Sequence, residues 1–71
     1  MEEIAIRTEF IKLDALMKFS ALAESGGEAK QLIAEGLVKV NGEVCLQRGK
    51  KIFPEDTVSF DGQTIRVTNE Y

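Results

Sequence analysis

The sequence predicts an α+β domain in which a two-helix hairpin packs on a small, mainly antiparallel sheet of four to five strands. Three observations carry that prediction. Apolar residues recur at helical spacing from Leu13 to Ile33, then switch to a period of two after Gly36. Ser25 and Glu28 stand at capping-box spacing in front of the second helical stretch. Asn41-Gly42 and Asp61-Gly62 interrupt alternating apolar runs with dipeptides suited to tight hairpins.

Along the chain, Ile4 and Ile6 alternate with Ala5 and Arg7 and predict a short first strand. Residues 13–24 read as a helix. At about 100° per residue, Leu13, Ala15, Leu16, Met17, Phe19, Leu22 and Ala23 sweep a wide apolar arc, with Asp14 and Lys18 on the remaining side. An arc that wide implies contact on more than one side. The turn Ser25-Gly26-Gly27-Glu28 opens the second helix: the Ser25 hydroxyl is expected to accept from the Glu28 amide, and the Glu28 carboxylate to reach back to the Ser25 amide. Such a cap contributes on the order of 1 kcal/mol. Ala29, Leu32 and Ile33 should face the core, and Gly36 suits the left-handed position that ends a helix. Val38 and Val40 then point one way, Lys39 and Asn41 the other. Residues 43–46 return as the partner strand, and Gln47-Arg48-Gly49-Lys50-Lys51 forms a basic loop. Pro54-Glu55-Asp56 predicts another turn, after which Val58 and Phe60 alternate inward and Ile65 and Val67 return.

Seventy-one residues make one domain, expected to span residues 1–71, with a stability of a few kcal/mol. With 44% apolar and 30% charged residues the chain has the composition of a globular domain rather than of a disordered segment. No uncharged run approaches a membrane span, and the acidic start MEEIAIRTEF lacks the apolar stretch of a signal peptide, so no membrane partner and a cytoplasmic location are expected. Cys45 has no second cysteine and no histidine to form a disulfide or a metal site, and it reads as a small core residue. The absence of histidine removes the commonest general base near neutral pH. No cofactor, metal, small-molecule substrate or catalytic activity is expected.

Net charge is −3, but it is unevenly distributed. Residues 1–29 hold three cations and six anions, and residues 52–71 hold Arg66 against Glu55, Asp56, Asp61 and Glu70. Between them, Lys30, Lys39, Arg48, Lys50 and Lys51 face only Glu35 and Glu43. Clustering of one sign matters more to a docking face than the total does.

Residues 12–60 resemble the small RNA-binding domain named after small-subunit ribosomal protein four, also called the alpha-L motif. That family runs roughly R-L-D-x-x-L, a turn, S-R-x-x-A-R-x-L-I-x-x-G-x-V-x-V-N-G, and later G-D-x-I. Lys12, Leu13, Asp14 and Leu16 answer the first element, with Lys for Arg and the spacing shortened by one. Ser25, Ala29, Lys30, Leu32, Ile33, Gly36, Val38, Val40, Asn41 and Gly42 answer the second. Asp56 and Val58 answer the last, with Glu55 where glycine is usual. The chain as a whole is similar to the small stand-alone bacterial members of the YbcJ/YaaA type. The resemblance implies RNA binding, with ribosomal or ribosome-associated RNA as the expected partner. Gly26 departs from the family, which commonly has arginine there, so the expected contacts shift toward the loop cations.

Three groups are candidate RNA contacts. At the turn Ser25, Gly26 and Gly27, free helix-terminal amides and the helix dipole favour an anion, and Lys30 adds a full charge one turn on. Arg48, Lys50 and Lys51, with Lys39 on its strand, are phosphate-positioning side chains, and Arg48 can grip bidentately. Lys12 aligns with a family arginine. Asn41 and Gly42 read as turn residues, and Lys18 as a solubilising one. The aromatic residues Phe10, Phe19, Phe53, Phe60 and Tyr71 are few and mostly fit core positions, so a folded RNA (rRNA or tRNA-like) read through its backbone is expected rather than splayed bases. The alternative is a protein–protein interaction module or adaptor in a ribonucleoprotein assembly, with ribosomal proteins as partners of its acidic ends.

Overall fold

The computed structural model describes residues 1–70; Tyr71, counted above among the aromatic residues, lies outside the described residues. The order of elements is β1 (Glu2–Ile6), β2 (Ile11–Lys12), α1 (Leu13–Phe19), α2 (Gly26–Ala34), β3 (Lys39–Val40), β4 (Glu43–Val44), β5 (Lys51–Ile52), β6 (Thr57–Phe60) and β7 (Gln63–Asn69). Five strands form one sheet in the order β1-β7-β6-β3-β4. Only β1 runs parallel to its neighbour, so the sheet is mixed but mainly antiparallel. Strands β2 and β5 form a second, two-stranded antiparallel ribbon that the sequence reading did not anticipate.

Both helices and both sheets feed one core. Leu13, Leu16, Met17, Ala29 and Ile33 pack with Val38, Val40, Ile52, Val58, Ile65 and Val67, and Leu32, Cys45 and Phe60 press against them half-buried. No charged or polar residue is buried among the described residues, so the interior is apolar throughout.

The local signals behave as their chemistry requires, with one change at the cap. Ser25 accepts from the Glu28 amide at 3.1 Å, while the Glu28 carboxylate takes the amide of Glu24 at 3.4 Å rather than that of Ser25. Gly36 ends α2 at φ 77°, its amide on the Ile33 carbonyl and that of Leu37 on the Leu32 carbonyl. These are the two bonds of a Schellman motif. Asn41 and Gly42 have φ 51° and 85°, and Asp61 and Gly62 have φ 53° and 77°, the paired positive angles of two-residue hairpin turns.

Helix α1 is shorter than the expected helix over residues 13–24. Ala21 adopts φ 65°, with its amide on the Lys18 carbonyl, and a right-handed helix cannot propagate through that angle. Alanine in this conformation costs about 1–2 kcal/mol and carries no sequence signal for it. The turn it makes swings Leu22 and Ala23 back into the core, both buried. The helix stops at Phe19, whose side chain stays 66% exposed; Ala15 is exposed too, so the buried face of α1 is the narrow set Leu13, Leu16 and Met17 rather than a wide arc.

Candidate nucleic-acid interface

The site is built on the first turn of α1. Lys12 occupies the N-cap position and makes no capping bond, and the one first-turn amide held by a side chain among the described residues is that of Ala15, which donates to Asp14 Oδ1 at 2.8 Å. The first amides instead find backbone carbonyls of the basic loop, Leu13 on Lys50 at 2.9 Å and Asp14 on Arg48 at 3.1 Å. The loop closes on itself as a β-turn, with the Lys50 amide on the Gln47 carbonyl at 3.1 Å. Helix-terminal amides left without acceptors are costly, so this bonding fixes the loop as firmly as it caps the helix. The β2–β5 ribbon continues the same junction, pairing Ile11 with Ile52 and Lys12 with Lys51.

Four of the nine expected contact residues, Lys12, Arg48, Lys50 and Lys51, are thereby gathered from segments far apart in the chain. All four are exposed. Lys12 and Lys51 are direct cross-strand partners, an arrangement of like charges that destabilises a sheet by roughly 0.2–1 kcal/mol. Ion pairs among the described residues hold Arg7 to Glu70 at 3.1 Å and Arg66 to Glu3, and Lys12, Lys30, Lys39, Arg48, Lys50 and Lys51 take no part in them. The Glu3 carboxylate, through its hydrogen bond and then its charge, raises the Arg66 pKa above the ordinary arginine value, with Glu55 adding to the field. The arginines at the ends of the chain are thus internally neutralised while the central cations are not.

The remaining expected residues form other groups. Ser25, Gly26, Gly27 and Lys30 lie exposed at the start of α2, where the Ser25 hydroxyl already occupies the Glu28 amide. A Cβ added at Gly26 would meet nothing within 4 Å, so the fold does not demand glycine there. Lys39 points outward from β3, beside its partner Ser59, and borders a shallow depression shared with Asp61. Asn41 and Asp56 have structural partners. Asn41 Oδ1 accepts from the Thr57 amide at 2.9 Å, and its Nδ2 donates to Asp56 Oδ1 at 3.1 Å. Asp56 Oδ2 in turn accepts from the Phe53 amide at 2.8 Å.

Two residues beside the cations escaped the sequence reading, which assigned most aromatics to the core. Phe53 keeps 41% of its surface exposed, and Phe10 is half-buried. Their ring centroids lie 5.8 Å apart with the planes tilted by 48°. The Lys51 ammonium sits 4.9 Å above the Phe10 ring, within cation–π range. A signal existed: Phe10-Ile11-Lys12 and Lys51-Ile52-Phe53 are mirror-image triplets, FIK and KIF, whose antiparallel pairing sets like residues opposite one another.

A helix hairpin running through L-I-x-x-G into V-x-V-N-G, on a mainly antiparallel sheet with a basic loop at its first helix, defines a compact domain of the alpha-L type. The S4 domain family matches residues 4–68, and the chain belongs to it. It is 44% identical over 57 residues to YbcJ of Escherichia coli (strain K12), named as a candidate RNA-binding protein, covering 80% of this chain and 81% of that one. RlbA of Bacillus subtilis (strain 168), named as a candidate ribosome maturation protein, is 39% identical over 59 residues, 83% of each chain. The solution structure of E. coli YbcJ, described as revealing an alpha-L motif involved in RNA binding, matches with a TM-score of 0.65 at 37% identity, covering 94% of this chain and 84% of that one.

Proposed function

We propose that this chain is a non-catalytic RNA-binding protein that grips the phosphate backbone of structured RNA, ribosomal or ribosome-associated. The observation that carries the reading is the set Lys12, Arg48, Lys50 and Lys51, unpaired with carboxylates among the described residues and held together by the α1 amides and the β2–β5 ribbon. A self-repelling cluster on a small domain is offset when a polyanion docks on it. Ser25, Gly26, Gly27, Lys30 and Lys39 would extend the footprint to about four to six phosphates. The names of YbcJ and RlbA support RNA binding and a ribosomal setting.

The test is a binding titration against a folded ribosomal RNA fragment at several salt concentrations. With four to six phosphates held, affinity should fall by about 10²–10³ between roughly 50 and 200 mM salt, taking 0.9 counterion released per contact as for duplex DNA. Affinity that does not change with salt contradicts the reading.

A protein adaptor is the second reading, and one observation favours it: Leu37, Val44 and Leu46 are exposed apolar side chains, the latter two both lying beside Gly36. Pull-down from cells with and without ribonuclease separates the two. An RNA binder loses its partners on digestion; an adaptor keeps them.

A further inference from the structure

The outward face of the β2–β5 ribbon carries a pattern that backbone gripping does not use. Strand alternation sends Ile11 and Ile52 inward and leaves Phe10, Lys12, Lys51 and Phe53 on the other side. Continuing the register by one residue sets Phe10 opposite Phe53, in agreement with their ring contact. The face is therefore an aromatic pair beside a lysine pair. Phe10 is engaged by the Lys51 ammonium, but Phe53 is not, and it keeps the larger exposed surface. The backbone of Phe53 is also held at both its amide and its carbonyl. Its amide donates to Asp56 Oδ2 at 2.8 Å and its carbonyl accepts from the Asp56 amide at 3.0 Å. Pro54 follows it, and Asp56 is itself held by Asn41.

An exposed ring on a fixed stretch of backbone, next to two ammonium groups without a carboxylate partner among the described residues, is complementary to a ligand with a flat π-face and a nearby negative charge. A nucleotide has both. We infer that Phe53 stacks an unpaired base of the bound RNA while Lys12 and Lys51 hold its flanking phosphates, so that the favoured RNA presents a bulged or looped nucleotide at this ribbon. This rests on the RNA-binding reading above and narrows it from backbone shape alone to a helix with a displaced base. Aromatic stacking tolerates any base, and purines offer the largest face.

The chain contains no tryptophan, so Phe53→Trp introduces a single indole reporter at the proposed platform, excited selectively over Tyr71. It is titrated with a ten-nucleotide oligo(A) RNA and with the same backbone carrying abasic riboses. Quenching by the intact RNA and not by the abasic one is expected. Phe53→Leu should bind oligo(A) roughly five- to hundredfold more weakly than the unaltered chain, and abasic RNA equally well. The ratio of intact to abasic affinity is taken within each variant, so a loss of fold stability does not masquerade as a loss of stacking. Equal binding of intact and abasic RNA by the unaltered chain, with salt dependence retained, overturns stacking and leaves the backbone reading standing. Binding of neither RNA, nor of the folded fragment, overturns both.

Discussion

The β1–β7 edge and the β2–β5 ribbon are both short strand pairings at the surface, yet they treat charge in opposite ways. On the edge, Arg66 faces its register partner Glu3 and is bonded to it, and Arg7 reaches Glu70 just beyond the strands. On the ribbon, Lys12 faces Lys51, with Arg48 and Lys50 in the adjoining loop and no carboxylate among the described residues paired to any of them. Exposed ion pairs such as those on the edge stabilise only slightly, but they leave no net field. The ribbon does the reverse: it accepts a small folding cost and keeps its charge available. The difference shows how an acidic protein with net charge −3 presents a cationic face, by neutralising arginines at one place and leaving lysines without carboxylate partners among the described residues at another.

The largest expected effect comes from reversing the loop. Arg48→Glu, Lys50→Glu and Lys51→Glu together should weaken RNA binding by more than about 100-fold at low salt. The circular dichroism spectrum should be unchanged, because all three side chains are exposed and the bonds to α1 come from the loop backbone. Retained binding would move the interface elsewhere. Lys12→Glu should separate the two quantities that the ribbon trades. RNA affinity should fall about tenfold, while thermal stability rises by about 0.5 kcal/mol as repulsion with Lys51 becomes attraction. A fall in both would mean that the lysine pair is not self-repelling. Gly26→Arg restores the cation usual in the family at a position with open space around it, and should tighten RNA binding a few-fold in a filter-binding assay. Smallest is Glu3→Gln on the edge. It removes a carboxylate partner from Arg66 and should lower the melting temperature slightly while RNA affinity stays within about twofold. A large affinity change there would erase the contrast between the regions.

Some of this architecture was legible in the linear chain and some was not. Both hairpin turns, the Ser25 cap and the Gly36 stop were readable because each depends on the φ preferences and hydrogen bonds of residues within a few positions of one another. The sequence reading placed a turn at Pro54-Glu55-Asp56 but did not foresee a left-handed residue in it. Glu55 stands where glycine is usual, and it adopts φ 80° as the third residue of a turn beginning at Phe53. Asn41 was legible as a turn residue, but not as the clasp that ties its hairpin to Asp56 and Thr57. The early end of α1 was illegible because alanine at Ala21 has no intrinsic preference for the angle it takes; burial of Leu22 and Ala23 imposes it. Of the candidate site, residue types were readable and grouping was not. Lys12, Arg48, Lys50 and Lys51 were named one by one, yet nothing local joins them, and the platform beside them was missed because strands of two residues show too little alternation to register.

The sequence by itself determined the local conformations, the apolar faces and the surplus of cations in the middle of the chain. These depend on dihedral preference and side-chain chemistry, which act over a turn or less. Only the tertiary structure decided which cations became neighbours and which aromatic rings stayed in solvent. Those outcomes follow from pairing Ile11 with Ile52 so that both pack on the core, a choice settled by the core and not by any stretch of chain read alone.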